Sequence, residues 1–201
     1  NFVQTALVVI DVQSDFCPGG ALAVADGDSI VPLINAKMND YDIIALTQDW
    51  HPAGHSSFAS SQEGKSPLET IEMPYGTQVL WPDHCIQGTQ GAAFHPNLNT
   101  DPANFIVRKG YNPRIDSYSA FFENDHKTPT GLHGYLQTRS VTAIDFVGLA
   151  TDFCVNFSAV DAAKLGYKTR VLENLTKAID LAVSLDAARS AMMAAGVTLE
   201  S

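Results

Sequence analysis

The feature of this sequence that most restricts its fold is a series of six short β-rich runs separated by helical segments. The first run, residues 6–10, is apolar at every position, which is typical of a strand covered on both faces. The later runs are residues 43–46, 105–107, 144–147 and 169–172, with a weaker one at 197–199. Strands that alternate with helices predict a three-layer α/β/α fold with a mostly parallel central sheet of about six strands.

Three helices are predicted between these strands. An apolar stripe at helical spacing is formed by Ile30, Leu33, Ile34 and Met38. Pro32 is compatible with this helix because it falls in the first turn. A second helix over residues 155–165 stops at Gly166, and a third is capped by Ser184 and ends at Gly196.

Residues 52–91 interrupt the alternation, since they are rich in Pro, Gly and Ser and show neither a helical nor a strand period. So long an irregular stretch inside a compact domain is usually functional. We therefore expect residues 1–201 to form a single domain, with a binding loop region at about 52–91.

The charge balance restricts the partners of this chain. Twelve Lys and Arg residues oppose 22 Asp and Glu residues, which gives a formal net charge of −10. A nucleic-acid partner requires a clustered basic surface, so this class of function is not expected.

The apolar run at residues 6–10 is too short to span a bilayer, and no basic segment precedes it as in a signal peptide. We therefore expect no membrane partner and a cytoplasmic location. Cys17, Cys85 and Cys154 are an odd number of thiols without C-x-x-C spacing, so at least one of them is free. In a reducing compartment all three are expected to be free.

Reactive side chains follow the predicted strands. Ligands of open parallel sheets bind beyond the carboxyl ends of the strands, where this chain places Asp11, Asp49, Lys109 and the segment 148–154. Cys154 closes that segment at a predicted helix start, where a thiolate is favoured and backbone amides can hold an oxyanion. Taken singly, Cys154 can be a small core residue, Asp11 a turn residue and Lys109 a surface charge.

Asp49 and His51 are two residues apart, so in extended chain their side chains point the same way and can approach one ion. His84 is the best third ligand because it lies in the irregular region. Three protein ligands with open positions are typical of an ion that handles substrate or water. The remaining histidines are interpreted as surface or loop residues, with His55 a candidate to support a ligand: His55, His95, His126 and His133.

Five segments, taken together and in order, resemble the nicotinamidases, which belong to the isochorismatase-like cysteine hydrolases. These segments are residues 9–22, 49–52, 81–85, 108–110 and 148–155. The resemblance covers nearly the whole chain. It implies hydrolysis of nicotinamide to nicotinate and ammonia in NAD salvage, with pyrazinamide as a further substrate, and it leaves a homo-oligomer open.

The resemblance also implies roles for individual residues. Cys154 would be the nucleophile, Asp11 the acid and base, and Lys109 the third member of a triad. The peptide between Leu149 and Ala150 would be cis, and the N–H groups of Ala150 and Cys154 would form an oxyanion hole. One divalent ion, with zinc expected before iron or manganese, would be held by Asp49, His51 and His84. The substrate ring would lie between Phe16 and Trp81, beside Tyr118 and Leu149.

Two alternatives stay open at this stage. Another cysteine amidohydrolase of the same superfamily, or a metal-free isochorismatase, shares the fold but generally lacks the set of Asp49, His51 and His84. A binding protein without catalysis could also use this fold. The presence of Asp11, Lys109 and Cys154 favours an enzyme over that second alternative.

Overall fold

The computed structural model describes residues 3–201, which form a six-stranded sheet and a separate two-stranded hairpin. The strands of the large sheet are β1 (Thr5–Ile10), β2 (Ile43–Asp49), β5 (Phe105–Lys109), β6 (Ala143–Leu149), β7 (Lys168–Lys177) and β8 (Thr198–Glu200). The hairpin pairs β3 (Thr70–Met73) with β4 (Gly76–Val79) in antiparallel register. All six predicted strands are confirmed, with bounds that differ by one to several residues.

Four α-helices flank the sheet: α1 (Val31–Lys37), α2 (Leu132–Thr138), α3 (Asn156–Lys164) and α4 (Ser184–Ala194). A single π-helical turn, Thr151–Val155, joins β6 to α3. Within residues 3–201, no helix combines the length and the apolar character needed to cross a membrane.

The order of the large sheet is β5-β2-β1-β6-β7-β8, and every neighbouring pair is parallel. The α/β fold predicted from the sequence is therefore confirmed. The chain builds outward from β1 through β2 to β5, and then returns to place β6 on the other side of β1. Ligands of open α/β sheets bind at such a reversal of strand order, which lies here beyond the carboxyl ends of β1 and β6.

The central strands are covered on both faces, as their continuous apolar character predicts. Alternate residues of β1 point in opposite directions: Ala6, Val8 and Ile10 pack in the cluster that contains α2, α3 and α4 side chains. Leu7 and Val9 pack in a second cluster with residues of α1. Packing on both faces fixes the carboxyl end of β1, and with it the position of Asp11, the residue that follows.

Two details of the predicted helices are wrong. In the first helix Ile30, Ile34 and Met38 are buried, but Leu33 is 50% exposed because the buried stripe follows the i, i+4, i+8 row alone. Ser184 does not cap α4. It is the first residue of the helix, and its Oγ donates a hydrogen bond to Asp152 at 2.6 Å.

Sequence reasoning also missed the hairpin and α2. The hairpin strands β3 and β4 lie in the irregular region at 52–91 and have only four residues each. The alternation in β3 covers a single pair of apolar residues, Ile71 and Met73, and the buried residue of β4 is the polar Gln78, so neither strand gives a clear periodic signal. Helix α2 has only seven residues and buries Leu132 and Leu136 alone, which is too short a pattern for a periodic signal.

Candidate active site

The predicted reactive residues converge at the carboxyl ends of the central strands. Asp11 directly follows β1, Asp49 and Lys109 are the last residues of β2 and β5, and Cys154 lies in the π-helical turn after β6. Gly148 allows β6 to approach β1 here, because a Cβ on Gly148 would lie 2.2 Å from the backbone oxygen of Ile10. The sheet thus brings together residues that are more than 140 positions apart in the chain.

Lys109 connects the members of this cluster. Its side chain is buried, and Nζ donates hydrogen bonds to Asp49 Oδ1 at 2.8 Å, to the backbone oxygen of Ser117 at 2.9 Å and to Cys154 Sγ at 3.5 Å. Nζ also forms an ion pair with Asp11 Oδ2 at 2.8 Å. Burial alone would lower the pKa of Lys109, but the carboxylates of Asp11 and Asp49 raise it well above its usual range.

The two carboxylate oxygens of Asp11 have different partners. Its Oδ1 accepts a hydrogen bond from Thr47 Oγ1 at 2.6 Å. Its Oδ2 contacts Lys109 but accepts no well-directed hydrogen bond within residues 3–201. Burial raises the pKa of Asp11 above the ordinary value although the Lys109 cation lowers it. The sequence left open which of these two effects is larger, and the structure indicates that it is burial.

Cys154 differs from one expectation. A helix start was expected to favour its thiolate, but Cys154 lies in the π-helical turn before α3, and burial raises the pKa of the thiol well above its usual value. Lys109 lowers this pKa, while the charges of Asp11 and Asp49 and a hydrogen bond with Asp11 raise it. The resting group is therefore a neutral thiol, and it must lose its proton when it attacks.

The peptide bond between Leu149 and Ala150 is cis, as predicted. Both residues line the same cavity as Cys154. The turn that follows is closed by hydrogen bonds from the N–H groups of Phe153 and Val155 to the backbone oxygen of Ala150.

A second cluster lies beside the first and contains the three predicted metal ligands. Asp49, His51 and His84 are buried, and their candidate ligand atoms lie within 4.8 Å of one another. His51 Nε2 is 3.2 Å from Asp49 Oδ2, and His84 Nε2 is 3.6 Å from the same oxygen. Asp49 joins the two clusters, because its other oxygen accepts the hydrogen bond from Lys109.

The tautomers of both histidines suit a cation at this point. His51 Nδ1 bonds the backbone oxygen of Gly110 at 2.8 Å, and His84 Nδ1 bonds that of Pro82 at 2.7 Å. A carbonyl oxygen only accepts, so both Nδ1 atoms donate, and in the neutral ring each Nε2 keeps its lone pair. Two nitrogen lone pairs and one carboxylate oxygen then face one point, where a metal cation or a proton relieves their repulsion.

The carboxylates around His51 attract positive charge to this ring, whether a proton or a metal ion. Burial alone would lower the pKa of His51, but the carboxylates of Asp49 and Asp116 raise it to about 9. Asp116 is buried, and its Oδ1 lies 4.0 Å from His51 Nε2. His55 is buried behind this ring, and its Nδ1 accepts a hydrogen bond from the N–H of Ser57, so it supports His51 by packing.

A small cavity opens onto both clusters. All four residues expected to contact a substrate line it, together with a nucleophile candidate and two metal-ligand candidates: Phe16, Trp81, Tyr118, Leu149, Cys154, Asp49 and His84. Hydrogen bonds from Trp81 Nε1 at 3.0 Å and Gln78 Nε2 at 2.7 Å to the Tyr118 hydroxyl fix the aromatic rings. Such a cavity fits a small flat molecule with one polar end.

Sequence reasoning missed residues that hold the site without reacting. The Gln13 side chain accepts a hydrogen bond from the N–H of Asp49 and donates one to its backbone oxygen, both at 2.8 Å. Thr47 and Asp116 were also missed. Because polar side chains of these types are common in loops and strands, only their contacts in the folded chain reveal these positions.

Comparison with known proteins yields a family match over nearly the whole chain. The family model described as Isochorismatase domain matches residues 5–201. A nicotinamidase of Acinetobacter baylyi is 53% identical over 192 residues, which cover 96% of this chain and 90% of that protein. The nicotinamidase of Escherichia coli is 42% identical over 200 residues, which cover 96% and 93%.

Solved structures agree with this match. An Acinetobacter baumannii nicotinamidase/pyrazinamidase has a TM-score of 0.97 at 54% identity, covering 100% of this chain and 97% of that one. PnC1 from L. infantum in complex with nicotinate has a TM-score of 0.85 at 38% identity, with 98% and 92% covered. A pyrazinamidase of Pyrococcus horikoshii in complex with zinc has a TM-score of 0.78 at 32% identity, with 98% of both chains covered.

Proposed function

This chain belongs to the isochorismatase family, and we propose that it hydrolyses nicotinamide to nicotinate and ammonia through a thioester on Cys154. The observation that carries this proposal is the contact of one buried lysine with Asp11, Asp49 and Cys154, which joins a nucleophile and base to a three-ligand cluster in one cavity. In this role the enzyme takes part in NAD salvage.

In the first half of the reaction, Asp11 acts as a base and then as an acid. Its carboxylate takes the thiol proton of Cys154 while the sulfur attacks the carboxamide carbon and forms a C–S bond. The carbonyl electron pair moves to oxygen, and the N–H groups of Ala150 and Cys154 hold the resulting oxyanion. Each such donor typically lowers the barrier by about 3 to 4 kcal/mol. When the C–N bond breaks, Asp11 gives its proton to the leaving ammonia.

The second half repeats this proton transfer with water. Asp11, again ionised, takes a proton from a water molecule whose oxygen attacks the thioester carbon. The C–S bond breaks, the sulfur regains a proton from Asp11, and nicotinate leaves. The raised pKa of Asp11 suits this double role, because the carboxyl must both accept and hold a proton.

Lys109 compensates the negative charge of the site during these steps. Its cation offsets the charges of Asp11 and Asp49, and its hydrogen bond to Cys154 Sγ stabilises the sulfur as it loses its proton. A neutral residue here would leave two buried carboxylates unpaired, which is strongly unfavourable.

The residues of the second cluster fit a divalent ion, and zinc is the first choice because Asp and His ligands suit it. Asp49, His51 and His84 would hold it. When bound, the ion would supply an open position for the ring nitrogen of nicotinamide. Phe16 and Trp81 would pack against the two faces of the ring, so that the carboxamide points to Cys154 in a reactive pose. Pyrazinamide keeps the same ring nitrogen and fits the same arrangement.

We also propose that residues 1–201 form one domain, of which 52–91 is the loop region that supplies His84 and Trp81. The three cysteines are free, which suits a reducing compartment such as the cytoplasm.

The experiment that tests the proposed function is an ammonia-release assay on nicotinamide with the purified chain. Turnover of nicotinamide, with nicotinate as the product, is the expected result. The rival function is that of an amidohydrolase acting on carbamoyl or ureido compounds. Turnover of such a compound without turnover of nicotinamide would favour the rival.

The metal site leads to a separate prediction. Elemental analysis of the purified protein is expected to find about one divalent ion per chain, and His51→Ala or His84→Ala is expected to lose it because three ligands are the minimum for a tight site. The metal-free protein should stay folded, since only Asp49 of the three ligands belongs to the central sheet and its charge stays paired with Lys109, and it should bind nicotinamide poorly. His95→Ala, which changes a histidine outside the cluster, is the control. Full activity after exhaustive chelation would contradict the metal's role.

A further inference from the structure

Asp15 links two loops that line the cavity, but the proposed chemistry gives it no part. Its Oδ2 accepts a hydrogen bond from the N–H of Cys85 at 2.8 Å, and its Oδ1 accepts one from the N–H of Ala21 at 3.2 Å. Cys85 directly follows the metal-ligand candidate His84, and Ala21 directly precedes Leu22, which lines the cavity. One carboxylate therefore fixes both loops.

The backbone at Cys85 needs such support. Cys85 has a φ of +48°, in the left-handed region that non-glycine residues rarely adopt without contacts that hold them there. Its N–H is held by Asp15, and its carbonyl oxygen accepts a hydrogen bond from the N–H of His51 at 2.9 Å. A charged acceptor makes the first of these bonds the stronger type. The position of His84 therefore depends on the hydrogen bonds that the N–H and the carbonyl oxygen of Cys85 make.

The chain also leaves space for the Asp15 carboxylate. A Cβ added to Gly91 would lie 2.2 to 2.4 Å from the carboxylate atoms of Asp15. The φ of Gly91 is outside the left-handed region, so the approach of Asp15, and not the backbone, requires glycine here. Asp15 thus contacts three separate loop segments, at residues 21, 85 and 91.

We propose that Asp15 is a positioning residue of the metal site. Its carboxylate fixes the backbone of Cys85 and thereby places His84 Nε2 against Asp49 and His51. Asp15 is not a member of the ligand cluster, so it acts through this hydrogen bond. This inference rests on the proposed function, of which the metal site is a part.

The test is the zinc affinity of Asp15→Asn, measured by competition with a chromophoric chelator and independent of turnover. Asparagine has the same size but only one acceptor oxygen, so one of the two N–H groups would face an amide NH₂. We expect the zinc dissociation constant to rise at least ~10-fold, the usual lower range for loss of a residue that orients a metal ligand. At saturating zinc, kcat should recover, which a general loss of structure would not allow.

Asp83→Asn is the matched control. Asp83 adjoins His84 on the same loop and carries the same charge, but it is exposed and accepts its hydrogen bond from the Ser60 hydroxyl. Because an exposed charge is screened by solvent, its removal should change the zinc affinity by less than about 3-fold. An equal loss in both variants would mean that net charge alone sets the affinity, and would overturn the positioning role.

Gly91→Ala is a second variant, which leaves every hydrogen-bonding group in place and displaces the Asp15 carboxylate by its methyl group. It should also weaken zinc binding, but it should have no such effect in an Asp15→Ala background, where the displaced group is absent. Unchanged affinity in Asp15→Asn and Gly91→Ala, with loss of zinc in His84→Ala, would overturn the role of Asp15 alone. Unchanged affinity in His84→Ala would instead contradict the proposed metal site.

Discussion

Replacement of Cys154 by alanine is expected to reduce the rate of nicotinamide hydrolysis at least ~1000-fold, or about 4 kcal/mol in the activation free energy. The reason is that no other side chain in the cavity combines a nucleophilic atom with contact to both Asp11 and Lys109 among residues 3–201. The variant should fold and bind zinc like the wild type, because Asp11, Asp49 and Lys109 keep their mutual contacts. Steady-state ammonia release, with thermal unfolding of the same samples, is the measurement.

Cys17→Ala is the control for this substitution. Cys17 is buried, and burial raises the pKa of its thiol to about 11, so it is an unreactive core residue. This variant should keep nearly wild-type turnover at temperatures where it is folded. A Cys154 variant that kept more than about a thousandth of the wild-type rate would show that the nucleophile is assigned to the wrong residue.

Much of the fold could be predicted from the sequence because the central strands are buried on both faces. A run such as residues 6–10 must lie inside a sheet, and its alternation with helices leaves few topologies. The hairpin β3–β4 could not be predicted, since each strand has only four residues and the buried residue of β4 is the polar Gln78. The bounds of β7 and the capping of α4 also depend on long-range contacts, such as the bond from Ser184 to Asp152.

The convergence of Asp11, Asp49, Lys109 and Cys154 could be predicted because each lies at or after the end of a recognisable strand, and strand ends of a parallel sheet meet at one edge. Their energetics could not. Whether Asp11 binds its proton more or less tightly than an ordinary aspartate depends on burial against the distance to Lys109, which only the folded chain determines. The same holds for Cys154, whose expected preference for the thiolate is reversed by burial and by two neighbouring carboxylates.

The pairing of the supporting residues also could not be predicted from the sequence. Gln13 and Asp15 alternate with Asp11 in one short segment, but they hold backbone groups of Asp49 and Cys85, which are 36 and 70 positions away. Their bonds are made to backbone atoms, which every residue type offers, so no side-chain pattern at the distant positions reveals the pairing.

The second large effect is expected in substrate selection: benzamide should be hydrolysed with a kcat/KM at least ~100-fold lower than that of nicotinamide, or about 2.7 kcal/mol. Phe16 and Trp81 can stack on any flat ring, so shape alone would admit both compounds. Recognition of the ring nitrogen requires a metal cation that binds its lone pair, at the end of the cavity where Asp49 and His84 lie. Benzamide offers a C–H at that point and gains nothing there. Pyrazinamide, which keeps the nitrogen, should resemble nicotinamide.

The His51→Ala variant separates recognition at the metal cluster from the chemistry at Cys154. The polar partners of His51 are Gly110, Asp49 and Asp116, and not Lys109 or Cys154. Without His51 the cluster holds only two ligands, so the preference for nicotinamide over benzamide should fall toward one. The nicotinamide rate should fall in this variant while the slow benzamide rate changes little, because benzamide never used the ion. Comparable kcat/KM values for both amides in the wild type would mean that the enzyme does not recognise the ring nitrogen. The site would then have to select its substrates by the shape of the aromatic cavity, as a general aryl amidase does.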